Sequence, residues 1–146
     1  MRSKSLFGSG LAGLGEDGDP LDVFVLMDAP VVPGCVIRAR PIGAIEAKQK
    51  AKGEDWQRND RLIAVATHAQ THETVKSLED LRPHLFDEIK AFFIDYNRLR
   101  GRKFKPLAFS GPSESRRLIK SGMEAFEQES RGSTESACQP RGMWQD

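Results

Sequence analysis

The sequence predicts an α+β domain in which strands come first and helices follow. Two continuous apolar, β-leaning runs, VFVLM at residues 23–27 and RLIAVAT at residues 61–67, read as strands buried on both faces. Apolar residues at helical spacing then take over. Ile89, Phe92, Phe93, Tyr96 and Leu99 form one stripe, and Leu118, Ile119, Met123 and Phe126 form another. A chain of 146 residues suits one hydrophobic core.

Taken in order, residues 1–16 are Gly- and Ser-rich without usable periodicity and read as a flexible lead-in. The four glycines from Gly8 to Gly15 break its mildly apolar stretch, so no signal-peptide core forms. After the first strand, DAPVVPG at residues 28–34 is turn chemistry, with two prolines fixing φ and Gly34 in the tight position. Strand character returns over residues 35–45, where Val36, Arg38, Arg40 and Ile42 do not alternate cleanly and Pro41 and Gly43 suggest a bend. The polar stretch 46–60 reads as an exposed hairpin connection to the strand at residues 61–67. Ser77 with Asp80 resembles a capping box at a helix start, and Gly101 stops that helix behind basic residues that suit its dipole. A second helix starts at Ser113. Residues 127–146 are polar and aperiodic and read as a disordered tail, leaving residues 17–126 as the domain.

Composition narrows the function. A net charge of +1 with 29% charged residues carries no bias toward nucleic acid. No apolar run approaches the ~20 residues of a membrane span. Cys35 and Cys138 are too few and too far apart for a disulfide framework and read as free thiols in a reducing compartment, which makes the cytoplasm the expected location.

The most informative stretch is DGDPLDV at residues 17–23. It sets Asp17, Asp19 and Asp22 within six residues, with Gly18 and Pro20 bending the backbone between them. Converging carboxylates are hard oxygen ligands suited to Mg²⁺ or Mn²⁺, and Mg²⁺ commonly bridges such groups to substrate phosphates. Water near such ions becomes a nucleophile at neutral pH, and a remaining aspartate can orient it or take its proton. The plainer reading is equally open: Asp-Gly and Asp-Pro form turns, and clustered acids stay solvated. An EF-hand is excluded, because the sixth position is Asp22 where that loop needs Gly, and β-type residues follow.

DGDPLDV resembles the signature of the soluble family I inorganic pyrophosphatases, Asp-x-Asp-Pro-x-Asp followed by a small or apolar residue. The likeness continues in order through PVVPGCVIRARPIGAIE, DRLIAVAT and SLEDLRPHLFDEIKAFFIDYNRLRGRKFK, spanning residues 16–126. The resemblance implies Mg²⁺-dependent hydrolysis of inorganic pyrophosphate to two phosphates, on an OB-like β-barrel with two flanking α-helices, in a homo-oligomer. It implies Asp19 as the carboxylate that activates the water, Asp17, Asp22 and Asp60 as metal ligands, and Tyr96, Lys103 and Arg61 as substrate contacts. Neither nucleic acid nor a membrane is an expected partner.

The chain departs from the family pattern in three places. Asn59 stands where an acid is expected two residues before Arg61, with Asp60 one step later. The partner acid falls among Glu46, Glu54 and Asp55, which the sequence does not separate. Asn97 follows Tyr96 where the family usually has Lys, with Arg98, Arg100 and Arg102 nearby as replacements or as a solvated helix end. Only sixteen residues precede the motif where family members carry early strands, so the implied barrel is incomplete. A second reading therefore stands beside the first: an inactive, pyrophosphatase-like fragment that binds Mg²⁺ weakly or serves as an interaction or structural protein. His68, His72 and His84 lack ligand spacing and read as surface or capping residues, while Phe92 and Phe93 read as core.

Overall fold

The computed structural model describes the backbone of residues 6–14 and 20–136 and the side chains of residues 21–132. Among the described residues six strands form one mixed sheet, and two α-helices lie against it. β1 (Leu6–Leu14) pairs antiparallel with β2 (Pro20–Leu26), and β2 runs parallel to β5 (Arg61–Ala66). The long β3 (Ala39–Ala51) joins the rest: its first half pairs with β5, its second half with β6 (Arg102–Ser110), and Lys48 and Gln49 also meet the two-residue β4 (Gln57–Arg58). Among the described strands β1 and β6 do not pair, so the sheet stays open rather than closing into a barrel.

The core is where the apolar runs place it. Every residue of β5 is buried, and Leu26, Ile42, Ile45, Ile63, Val65 and Phe93 are almost wholly excluded from solvent. α1 (Pro83–Leu99) turns Ile89, Phe93 and Asn97 inward at the spacing of one helical face, and Gly101 ends it at φ +72°. Phe92 departs from its expected core position: it is 37% exposed, although its ring stays within 5.8 Å of Phe24 and of Tyr96.

Four expectations change in the folded chain. Leu6–Leu14 is a strand within the segment expected to be a flexible lead-in. Its pairing with β2 uses backbone N–H and C=O groups, which glycine carries as well as any residue. The strand expected at residues 35–45 starts later and runs on to Ala51, through the first six residues of the polar stretch expected to be a hairpin connection. There Ala47 and Gln49 face inward while Lys48 faces solvent, so a half-buried strand looks polar in sequence. The expected bend survives as a register shift between Pro41 and Gly43. Ser77 and Asp80 cap only a 3-10 turn (Leu78–Asp80), and α1 begins after it at Pro83, whose missing N–H costs nothing in a first turn. α2 (Pro112–Ser136) extends ten residues into the expected disordered tail, residues 127–136, where several residues, such as Glu127, Gln128, Glu129 and Arg131, favour helix. Cys138 and Trp144 lie outside the described residues.

Candidate functional site

Arg61 opens β5 and is 4% exposed, an unusual depth for a guanidinium. Burial of that charge is tolerable only with partners on its donors. The parallel register supplies the first, because Asp22 on β2 stands directly opposite Arg61, and the Arg61 Nη1 donates to Asp22 Oδ2. The same Nη1 donates to Asn59 Oδ1 at 2.5 Å, and Nη2 donates to Gln49 Oε1 on β3 at 3.2 Å. Two rings close the sides: the guanidinium carbon lies 5.9 Å from the Phe93 ring centre on α1 and 5.7 Å from that of Phe104 on β6. One cation thus gathers groups from β2, the β4–β5 connection, β3, α1 and β6.

Asp60, the next residue back, faces a different neighbourhood. Its Oδ1 accepts from the buried Ala47 amide at 3.0 Å and from Arg58 Nε at 2.8 Å, and its side chain is 6% exposed. Arg58 also reaches Glu46 Oε2 at 2.9 Å, so Glu46 and Asp60 share one guanidinium. Glu54 and Asp55, the other hairpin acids, are exposed in the β3–β4 turn.

The expected substrate contacts are spread out. Tyr96 is half-buried on α1, its hydroxyl accepts from Arg100 Nη1 at 2.7 Å, and its ring stacks on Phe92. Lys103 is exposed on β6 and pairs in register with Lys50. Its neighbour Phe104 points inward onto Arg61, so the pleat sends Lys103 to the opposite face of the strand. There it lines a cleft of about 410 Å³ with Lys50 and Lys52. Asn97 is 2% exposed and donates to the Phe93 carbonyl at 2.8 Å, so it faces the core. Asp17 and Asp19 lie outside the described residues.

The structure therefore brings Asp22 and Arg61 into direct contact, pairs Asp60 with Arg58 and Tyr96 with Arg100, and exposes Lys103 on β6. It adds two residues that the spacing rules did not single out, Gln49 and Arg58. The signal for Gln49 was present: it sits in alternation with Lys48 and Lys50, which makes it the inward residue once residues 46–51 are read as a strand. Among the described residues no group of three or more His, Cys, Asp or Glu side chains is arranged to hold a metal ion. Likewise, no described helix is long and apolar enough to cross a membrane.

Comparison with known proteins bears on the same stretch. The family model for inorganic pyrophosphatase matches residues 5–127. The chain is 36% identical over 113 residues to soluble inorganic pyrophosphatase 2 of Chlamydomonas reinhardtii, covering 77% of this chain and 56% of that protein. It is 38% identical over 113 residues to the inorganic pyrophosphatase of a Nostoc strain, covering 77% of this chain and 64% of the relative. The chain thus spans roughly three fifths of these curated relatives. Among solved structures, the inorganic pyrophosphatase of Helicobacter pylori superposes with a TM-score of 0.70 at 29% identity, covering 80% of this chain and 67% of that one.

Proposed function

Because this chain belongs to the inorganic pyrophosphatase family, we propose that it hydrolyses inorganic pyrophosphate to two phosphates. The observation that carries the reading is the register of the parallel pair, which sets the last carboxylate of the Asp17–Asp22 run beside a cation at the mouth of β2. A phosphoanhydride carries several negative oxygens, so its hydrolysis needs cationic groups around those oxygens and one carboxylate to position water. In this proposal Asp19 positions the water, and Tyr96, Lys103 and Arg61 serve the phosphates.

The resemblance further implies Mg²⁺ on Asp17, Asp22 and Asp60. The described donors fit a divalent ion poorly: Asp22 Oδ2, Asn59 Oδ1 and Gln49 Oε1 each accept from Arg61, and Asp60 Oδ1 accepts from both the Ala47 amide and Arg58. That donor set favours the second reading, a pyrophosphatase-like domain without turnover. A cytoplasmic, homo-oligomeric protein completes the proposal. Self-association is supported by the open sheet edges and by exposed Leu99 and Phe109.

Phosphate release from pyrophosphate, measured with and without MgCl₂, separates the two readings. Turnover that disappears in Asp19→Asn, with an unchanged far-ultraviolet spectrum, supports hydrolysis. A folded protein that releases no phosphate above background in either condition supports the second reading and ends the first.

A further inference from the structure

We infer that the outer face of the β3–β6 pair is a second anion site, which holds an oligophosphate chain, either free or carried on a nucleoside. The register carries the inference. Lys48 stands directly opposite Lys105, and Lys50 directly opposite Lys103. The residues between them, Gln49 and Phe104, are also opposite each other and are buried. The pleat therefore sets all four lysines on the other face, as a ladder of two cationic rungs. Directly opposite residues hold their Cβ atoms ~4.5–5.5 Å apart, and successive rungs lie ~7 Å apart along the strands. Like charges so placed destabilise a sheet. Among the described strands β6 pairs only with β3, and lysine on such an edge deters pairing with another chain. That task asks for no matching lysine on β3.

The surroundings suit phosphate oxygens. Lys48, Lys103 and Lys105 are exposed, and Lys50 is half-buried. The cleft of about 410 Å³ lies at the Lys50–Lys103 rung, where Lys52 in the β3–β4 turn adds a fifth ammonium group. Gly53 and Gly101 also line it, at φ +83° and +72°, and nothing stands within 4 Å of where a Cβ would be at either. A bulky anion therefore has room beside the lysines. Glu46, two residues before Lys48 on the same face, is held by Arg58. Among the described residues none of the five lysines forms an ion pair. Lys50 Nζ lies 5.1 Å from the ring centre of Trp56, which is 42% exposed, so an aromatic face borders the site. Ammonium groups bind phosphate as point charges, and a nucleobase stacks on such a ring. Two rungs are too short for a run of nucleotides, which favours a compact polyanion. The site faces away from Phe104 and Arg61, and it holds whether or not the protein turns over pyrophosphate.

Isothermal titration of inorganic tripolyphosphate into the full chain tests it, in EDTA to keep metal-dependent turnover out of the measurement. Lys48→Gln/Lys50→Gln should bind about tenfold or more weakly than the wild type. Lys90→Gln/Lys120→Gln removes two lysines that pair with acids on the helices, and should bind within about twofold of the wild type. A smaller loss in the first variant, an equal loss in the second, or a wild type that binds nothing overturns the assignment. So does a wild type that binds a single-stranded oligonucleotide and not tripolyphosphate. ATP in place of tripolyphosphate separates the two sources: tighter binding that Trp56→Ala abolishes assigns the nucleoside-borne chain, and any other binding result assigns the free one. Melting temperatures at low ionic strength add a readout without ligand. Relief of the like-charge opposition should leave Lys48→Gln/Lys50→Gln at or above the wild type. A variant that melts several degrees lower shows a ladder already neutralised within the chain, and overturns the assignment.

Discussion

Removal of the Asp60 carboxylate separates a structural role from a ligand role, because two replacements delete different parts of what it does. Asp60→Ala leaves the Ala47 amide, in a residue with no exposed surface, without its acceptor. An unsatisfied buried donor costs about 1–3 kcal/mol. The ion pair with Arg58 goes as well, but Arg58 is 31% exposed and such a pair contributes only about 0–1 kcal/mol. The expected loss is therefore about 1–4 kcal/mol, or roughly 3–14 °C in melting temperature for a domain of this size. Asp60→Asn keeps a carbonyl oxygen for the Ala47 amide and loses only the charge, so its expected cost is below about 1 kcal/mol. Urea unfolding followed by circular dichroism measures both, with unchanged slopes showing that the midpoint shift reports stability. Equal losses in the two variants, or a loss under about 0.5 kcal/mol in Asp60→Ala, would refute the reasoning. So would a Mg²⁺-dependent stabilisation of the wild type that Asp60→Asn abolishes.

Gly43→Ala should destabilise by about 1–3 kcal/mol or more through overpacking, since the added Cβ would lie 2.4 Å from Leu78 Cγ and 2.6 Å from the Ser110 carbonyl oxygen. A urea midpoint within error of wild type would show that the 3-10 turn yields more easily than its packing suggests. Two exposed carboxylates set an acid limb. The Thr71 hydroxyl, then the amides of Gln70 and Thr71, hold Asp28 below the usual carboxylate range, and the amides of Lys76 and Ser77 do the same for Asp80. A group with a depressed folded pKa contributes stability above its unfolded value, about pH 3.9, and loses it as pH falls through the folded value. The urea midpoint of the wild type should therefore drop on acidification below about pH 4 more steeply than that of Asp28→Asn/Asp80→Asn. Parallel curves would contradict this.

Much of the fold is legible in the sequence where one residue type repeats with one period. α1 announces itself through Ile89 and Phe93, and β5 through an unbroken apolar run. β3 is harder, since its second half buries only Ala47 and Gln49 against alternating lysines, and β6 hides a single buried Phe104 among cations. The site is legible as far as Asp22 and Arg61, each flagged by its neighbours along the chain. That Arg61 turns inward is not, because its partners come from positions 12 and 39 residues away. An arginine at the start of a strand looks the same in sequence whether it meets water or an acceptor cluster.

The pairing of Asp22 with Arg61 also has a bearing on how the chain finds its shape. β2 and β5 are parallel, and the chain between them must first lay down β3. Such non-local pairing closes late and slowly, since the entropy of a long loop is lost before the contacts form. A slip of one residue would set Leu62 opposite Asp22 and turn the guanidinium toward the other face of the sheet. The charged pair therefore acts as a proofreader of strand alignment: misaligned forms leave ionised groups stranded against apolar neighbours and revert before they consolidate.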